Sequence, residues 1–168
     1  MNNAAVLIKE EMNVKMASKN GAKKKSTPAH QKVWCADKKE QIKILVVDDN
    51  EDFRELLTES LQDEGYHVDS AKDAHEAINK VQANRFTIIF LDIILPNMNG
   101  VATHKAIKKI SPECIVIMMT GYSVKALVDE AVQDGAYTCM YKPFGLDDVL
   151  KLIDEILTKR HEKERKEN

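Results

Sequence analysis

The sequence predicts an α/β protein: a parallel β-sheet wound with helices on both of its faces. Three observations carry that reading. From Ile42 onward, five short β-branched or apolar runs alternate with five stretches whose apolar residues recur at helical spacing. The first, third and fourth runs are nearly continuous in apolar residues, as central strands covered on both faces must be. The alternating stretch is long enough to bury one substantial core.

The elements follow in order. Ile42-Lys43-Ile44-Leu45-Val46-Val47 reads as a strand that runs into a polar loop, Asp48-Asp49-Asn50. Phe53, Leu56, Leu57, Ser60 and Leu61 then recur at helical spacing, and Gly65 stops that helix. Val68 to Ala71 is a weaker second strand, and Ala74, Ile78 and Val81 mark the second helix. Arg85 to Leu91 is the third strand, ending at Asp92, and the third helix spans about Val101 to Ile110. Cys114 to Met119 is the fourth strand, ending at Thr120-Gly121; the fourth helix covers about Val124 to Gln133, with Gly135 as its stop. Tyr137 to Tyr141 is the fifth strand, ending at Lys142-Pro143. The last helix starts near Leu146 and reaches at least Lys159, with Leu150, Ile153, Ile156 and Leu157 on its inner face.

The 168 residues fit one domain with extensions, and a composition of 43% apolar and 31% charged residues is that of a globular chain. No apolar run approaches the roughly 20 residues of a bilayer crossing. The net charge of −2 joins two unlike segments: residues 1–40 hold nine lysines against four acids, a net +5, and the remainder carries −7. With few large apolar residues and the run Lys23-Lys24-Lys25, the first 40 residues read as a flexible basic arm, with Met12 and Met16 as alternative starts. The apolar stretch Ala4 to Ile8 is shorter than the apolar core of a signal peptide and is broken at once by Lys9-Glu10-Glu11, which argues against a secretory signal and leaves a cytoplasmic location as the expectation. Cys35, Cys114 and Cys139 form no CxxC pair or zinc pattern, so reduced thiols are expected. The histidines His30, His67, His75, His104 and His161 show no ligand spacing and are expected in the arm, in helices or at the surface. Residues 161–168 alternate in sign and read as a charged tail.

In a doubly wound sheet, ligands bind outside the carboxyl ends of the strands. The residues expected there are Asp48 and Asp49 after the first strand, Asp92 after the third, Thr120 after the fourth and Lys142 after the fifth. Three gathered carboxylates repel unless a cation compensates. Hard oxygen ligands suit Mg²⁺, which commonly joins one or two carboxylates to a phosphate. An ammonium and a hydroxyl opposite could hold the remaining phosphoryl oxygens. The combination predicts phosphoryl transfer.

Four motifs in this order resemble the receiver domain of two-component response regulators: VVDDNEDF (Val46–Phe53), LDIILPNMNG (Leu91–Gly100), MTG (Met119–Gly121) and YKPF (Tyr141–Phe144). The resemblance covers about residues 41–160 and implies a flavodoxin-like five-stranded sheet of order 2-1-3-4-5. It implies that Asp92 takes a phosphoryl group from a phosphohistidine of a sensor histidine kinase or phosphotransfer protein. It further implies that Asp48, Asp49, Asp92 and the backbone carbonyl of Ile94 ligate Mg²⁺, Asp48 mainly through water. Thr120 and Lys142 would bind the phosphoryl oxygens, the Lys142–Pro143 bond would be cis, Leu95-Pro96 and Gly100 would shape the loop after Asp92, and Gly121 would leave room for the donor. A chain of this kind assists its own phosphorylation and dephosphorylation without being a turnover enzyme. With no DNA-binding or catalytic pattern after about residue 160, the expected output is contact with a protein target or onward relay of the phosphoryl group.

Two positions depart from the family pattern. Cys139 stands three residues before the lysine, where an aromatic is usual; a small buried strand residue is expected there rather than a reactive thiol. Asn99 replaces a frequent Asp. Ile94 and Tyr122 are expected to flank the acceptor and slow loss of its phosphoryl group. The rival reading is a Mg²⁺-dependent phosphohydrolase of the haloacid-dehalogenase type, which places its nucleophile after the first strand in DxDx[TV]; the sequence there is Asp48-Asp49-Asn50-Glu51.

Overall fold

The structure, a computed structural model, describes residues 42–121 and 125–166; the basic arm, Cys35, His30 and Tyr122 lie outside the described residues. In chain order it contains β1 (Lys43–Val47), α1 (Glu51–Asp63), β2 (His67–Ala71), α2 (Ala74–Ala83), β3 (Ile88–Asp92), α3 (Gly100–Ile110), β4 (Ile115–Thr120), α4 (Lys125–Gln133), β5 (Thr138–Tyr141) and α5 (Leu146–Lys166). All strand pairs are parallel and the sheet order is β2-β1-β3-β4-β5. The three apolar runs are therefore the three central strands.

Alternation along the central strands divides their side chains between two cores. Ile44, Val46, Ile88, Phe90, Ile117 and Met119 face α1 and α5, where Phe53, Leu57, Leu61, Val149, Ile153 and Ile156 cover them. Leu45, Val47, Ile89, Leu91, Val116 and Met118 face the other way, against Ala74, Ala77 and Val81 of α2, Val101 and Ile107 of α3, and Val128 and Ala131 of α4. Burying a strand on both faces leaves no position for a polar side chain until the strand ends. Asp48, Asp92 and Thr120 stand at those ends.

Local chemistry sets the helix limits. Asp73 and Asn99 each accept a hydrogen bond from a first-turn amide, of Glu76 and Ala102, and so cap α2 and α3. Asn99 thus does what an Asp would do at that position. Gly65 and Gly135 lie at φ +90° and +91°, and the amides around them bond back to Gln62, Leu61, Val132 and Ala131, closing α1 and α4 with paired backward bonds.

One strand boundary shifts from the sequence expectation. The third strand begins at Ile88, not Arg85: Phe86 is buried, but the ladder is approached only through Thr87, whose amide donates to Lys43 O. The charged run from residue 161 continues α5 as far as Lys166 as a solvated helix end, with Arg160 paired to Glu164 one turn on. Among the described residues no helix is long and apolar enough to cross a membrane.

Candidate functional site

Five residues meet at the carboxyl edge of the sheet. Asp48 follows β1 directly, Asp92 ends β3, Thr120 ends β4 and Lys142 follows β5; Asp49 completes the group from the exposed side. Carboxylate oxygens of Asp48, Asp49 and Asp92 all lie within 4.8 Å of one another. Asp48, Asp92 and Thr120 are buried.

Each buried acid is held by the backbone on one oxygen and by lysine on the other. Asp48 Oδ1 accepts from the Asn50 amide at 2.9 Å, and its Oδ2 accepts from Lys142 Nζ. Asp92 Oδ1 accepts from the Ile94 amide at 2.9 Å, and its Oδ2 accepts from Lys142 Nζ at 2.5 Å. The lysine side chain is only 10% exposed. Burial pulls its ammonium toward deprotonation, but the charges of Asp92 and Asp48, with their hydrogen bonds, outweigh that and hold it above the ordinary lysine value. Asp48 moves up as well, because burial and the neighbouring Asp92 outweigh the pull of Lys142. The pocket therefore concentrates negative charge that a single ammonium neutralises only in part.

The surrounding backbone fixes these geometries. Arg54 Nη1 donates to the Asp48 carbonyl at 2.8 Å, and the Ile93 amide donates to Met119 O, tying β3 to β4 beside Asp92. Lys142 N donates to Thr120 O at 2.8 Å, coupling the lysine to the hydroxyl-bearing residue through the main chain. The Lys142–Pro143 peptide is cis. Gly100 brings α3 against Asp92: its amide donates to Ile93 O, and a Cβ would lie 2.2 Å from Asp92 O and 2.7 Å from Ile93 Cα. Only glycine fits there. Among the described residues, a Cβ on Gly121 would meet nothing within 4 Å. Ile94, in the same loop, is 45% exposed.

Cys139 is half-buried, packs against the core on the Leu45–Leu91–Met118 face of the sheet, and has its thiol pushed up to about 11 by burial and by the charge of Asp92. It is a protonated packing residue, less enclosed than the sequence suggests. His67 and His75 are exposed, and His104 lies on a helix as expected, but there it is fully buried on α3, with no hydrogen-bond partner for either ring nitrogen among the described residues. Its position, three residues from both Val101 and Ile107, places it on the apolar stripe, which the sequence already displayed. Phe53 was legible as a core residue, but not as a neighbour of Lys142: the ammonium lies 4.5 Å from its ring centroid.

The fold and this pocket define a doubly wound α/β protein with a carboxylate–lysine site at its strand ends. The chain belongs to the response regulator receiver domain family, whose model matches residues 44–154. It is 34% identical over 115 residues to sporulation initiation phosphotransferase F of Bacillus subtilis, covering 68% of this chain and 93% of that one. It is 32% identical over 122 residues to the transcriptional regulatory protein ZraR of Escherichia coli, 73% of this chain but only 28% of the relative. A CheY-like receiver domain from Methanospirillum hungatei superposes with a TM-score of 0.70 at 30% identity, covering 73% of this chain and 98% of that one. The family match sets aside the phosphohydrolase alternative.

Proposed function

We propose that the chain accepts a phosphoryl group on Asp92 from a phosphohistidine of a sensor kinase or phosphotransfer protein, and signals through the change this makes. The observation that carries the reading is the placement of Asp92: a nearly enclosed carboxylate, aligned by the Ile94 amide and by Lys142, beside two further acids. An oxygen of Asp92 attacks phosphorus, the phosphorus–nitrogen bond of the donor breaks, and its electron pair leaves with the imidazole, which is then protonated. Lys142 follows the negative charge onto the phosphoryl oxygens, and Thr120 supplies a hydroxyl to them. The three acids and the Ile94 carbonyl fit a hard divalent ion, and we assign Mg²⁺ to them. Bound there, Mg²⁺ would supply positive charge against the phosphoryl oxygens.

The chain is a phosphoacceptor and not a turnover enzyme, and a cytoplasmic location goes with a kinase donor. Exposed Ile94 is assigned a shielding role over the product. Register places Thr120 opposite Tyr141 of the edge strand, which is 58% exposed, so displacement of Thr120 reaches a face formed by α4, β5 and α5 on which a protein target can dock. Relay is the second form of output, favoured by the resemblance to a phosphotransferase over most of that relative's length. Incubation with acetyl phosphate and Mg²⁺ followed by intact mass tests the proposal. One phosphoryl group is expected on the natural chain and none on Asp92→Asn; equal uptake by both would overturn it.

A further inference from the structure

We infer that Phe53 is a positioning residue for Lys142, holding the ammonium at the pocket through the face of its ring while the lysine's carboxylate partners change. The inference rests on the phosphoacceptor reading and deepens it. Phe53 lies in the first turn of α1, with its side chain inward and almost fully buried. Its ring centroid is 4.5 Å from Lys142 Nζ, well inside the range of a cation–π attraction. The ring is itself fixed by Phe144, two residues beyond the lysine, at a centroid separation of 5.9 Å and an interplanar angle of 78°, an edge-to-face pair. One aromatic pair thus joins the α1 side of the site to the loop that carries the lysine.

Among the described residues, the Lys142 ammonium meets Asp48, Asp92 and the Phe53 ring. Two of them alter during the proposed reaction. Asp92 becomes an acyl phosphate and loses its carboxylate charge, and Asp48 is shared with a metal ion. The ring does not titrate, accepts no phosphoryl group and offers no lone pair that competes with phosphoryl oxygen. It is the contact that persists. Because the site is closed to water on this side, the attraction lies toward the stronger end of its range.

Acetyl phosphate uptake with Mg²⁺, measured as an initial rate, tests this in a double-mutant cycle. Phe53→Leu is expected to slow phosphorylation roughly 5- to 30-fold. Phe53→Tyr keeps the ring and is expected to stay within roughly twofold of the natural chain. In a Lys142→Ala background, Phe53→Leu should cause no further slowing, whereas loss of mere packing would slow both backgrounds alike. Equal slowing in both, an unchanged rate in Phe53→Leu, or a Tyr variant as slow as the Leu variant would overturn the inference. Proton NMR supplies a readout independent of phosphorylation. The Lys142 ε-methylene protons should be displaced upfield by the ring in the natural and Tyr chains, and not in Phe53→Leu; absence of that displacement in the natural chain would also overturn it. If the natural chain takes up no phosphoryl group, the phosphoacceptor reading fails, and the NMR displacement alone decides the contact.

Discussion

Two of the places where the described residues bury titratable side chains are treated oppositely. At the carboxyl edge of the sheet, Asp48, Asp92 and Lys142 are enclosed together, each with partners of opposite charge or backbone donors. On α3, His104 is enclosed alone, its two nitrogens unbonded, with Lys108 and Lys105 on its own helix and Asp134 beyond α4 as the charges that reach it. Burial lowers its pKa first and Lys108 adds to that, so the ring is held neutral. The first arrangement gains reactivity from concentrated charge; the second is a cost the core carries with no compensation among the described residues. Enclosure alone therefore does not mark a functional group. Mutual compensation at a strand end does.

The largest expected effect comes from breaking the compensated site. Lys142→Met leaves two buried carboxylates without their ammonium and should destabilise the chain by about 3–5 kcal/mol at neutral pH in urea unfolding. The loss should shrink as pH falls, because Asp48, already raised by burial, takes up a proton. Next is Gly100→Ala, whose methyl group would strike Asp92 O and Ile93 Cα; a loss of about 1–3 kcal/mol, with slowed phosphorylation, is expected.

The uncompensated site predicts the opposite sign. Replacing His104 with Leu removes two unsatisfied nitrogens and should stabilise by about 1–2 kcal/mol at pH 7. Because the folded pKa lies below the ordinary value of 6.5, the unfolded chain binds the proton first as pH falls. The natural chain should lose stability from about pH 6.5 downward, and the Leu variant should lack that slope. A natural chain with no such slope would mean that His104 finds a partner on protonation, with Asp134 the nearest candidate. Smallest is the effect of metal: Mg²⁺ at about five times its Kd should stabilise the natural chain by about 1 kcal/mol, and Asp49→Asn should abolish the response.

The strand ends were legible because a strand buried on both faces admits polar side chains only where it stops, so Asp48, Asp92 and Thr120 announced themselves. Lys142 follows the half-buried edge strand β5, so it was legible only as the polar end of a fifth strand, and its bridging of both acids depends on how β5 sits beside β4. Phe53 looked like ordinary helix core, since nothing in spacing tells a ring against leucine from a ring against an ammonium. His104 was legible as a helix residue at the spacing of the apolar stripe, but spacing alone does not say that its nitrogens are left without partners. The start of β3 was placed early because Phe86 is buried outside the ladder, and burial and strand pairing leave the same apolar mark in a sequence.

The account rests on Asp92 alone being the acceptor. Phosphorylation with acetyl phosphate and Mg²⁺, followed by borohydride reduction and peptide mass mapping, converts an aspartyl phosphate to homoserine and so locates it. Homoserine at position 92 and at no other acid is the predicted result. Homoserine at Asp48 or Asp49, or none in a chain that has gained a phosphoryl group, would contradict it.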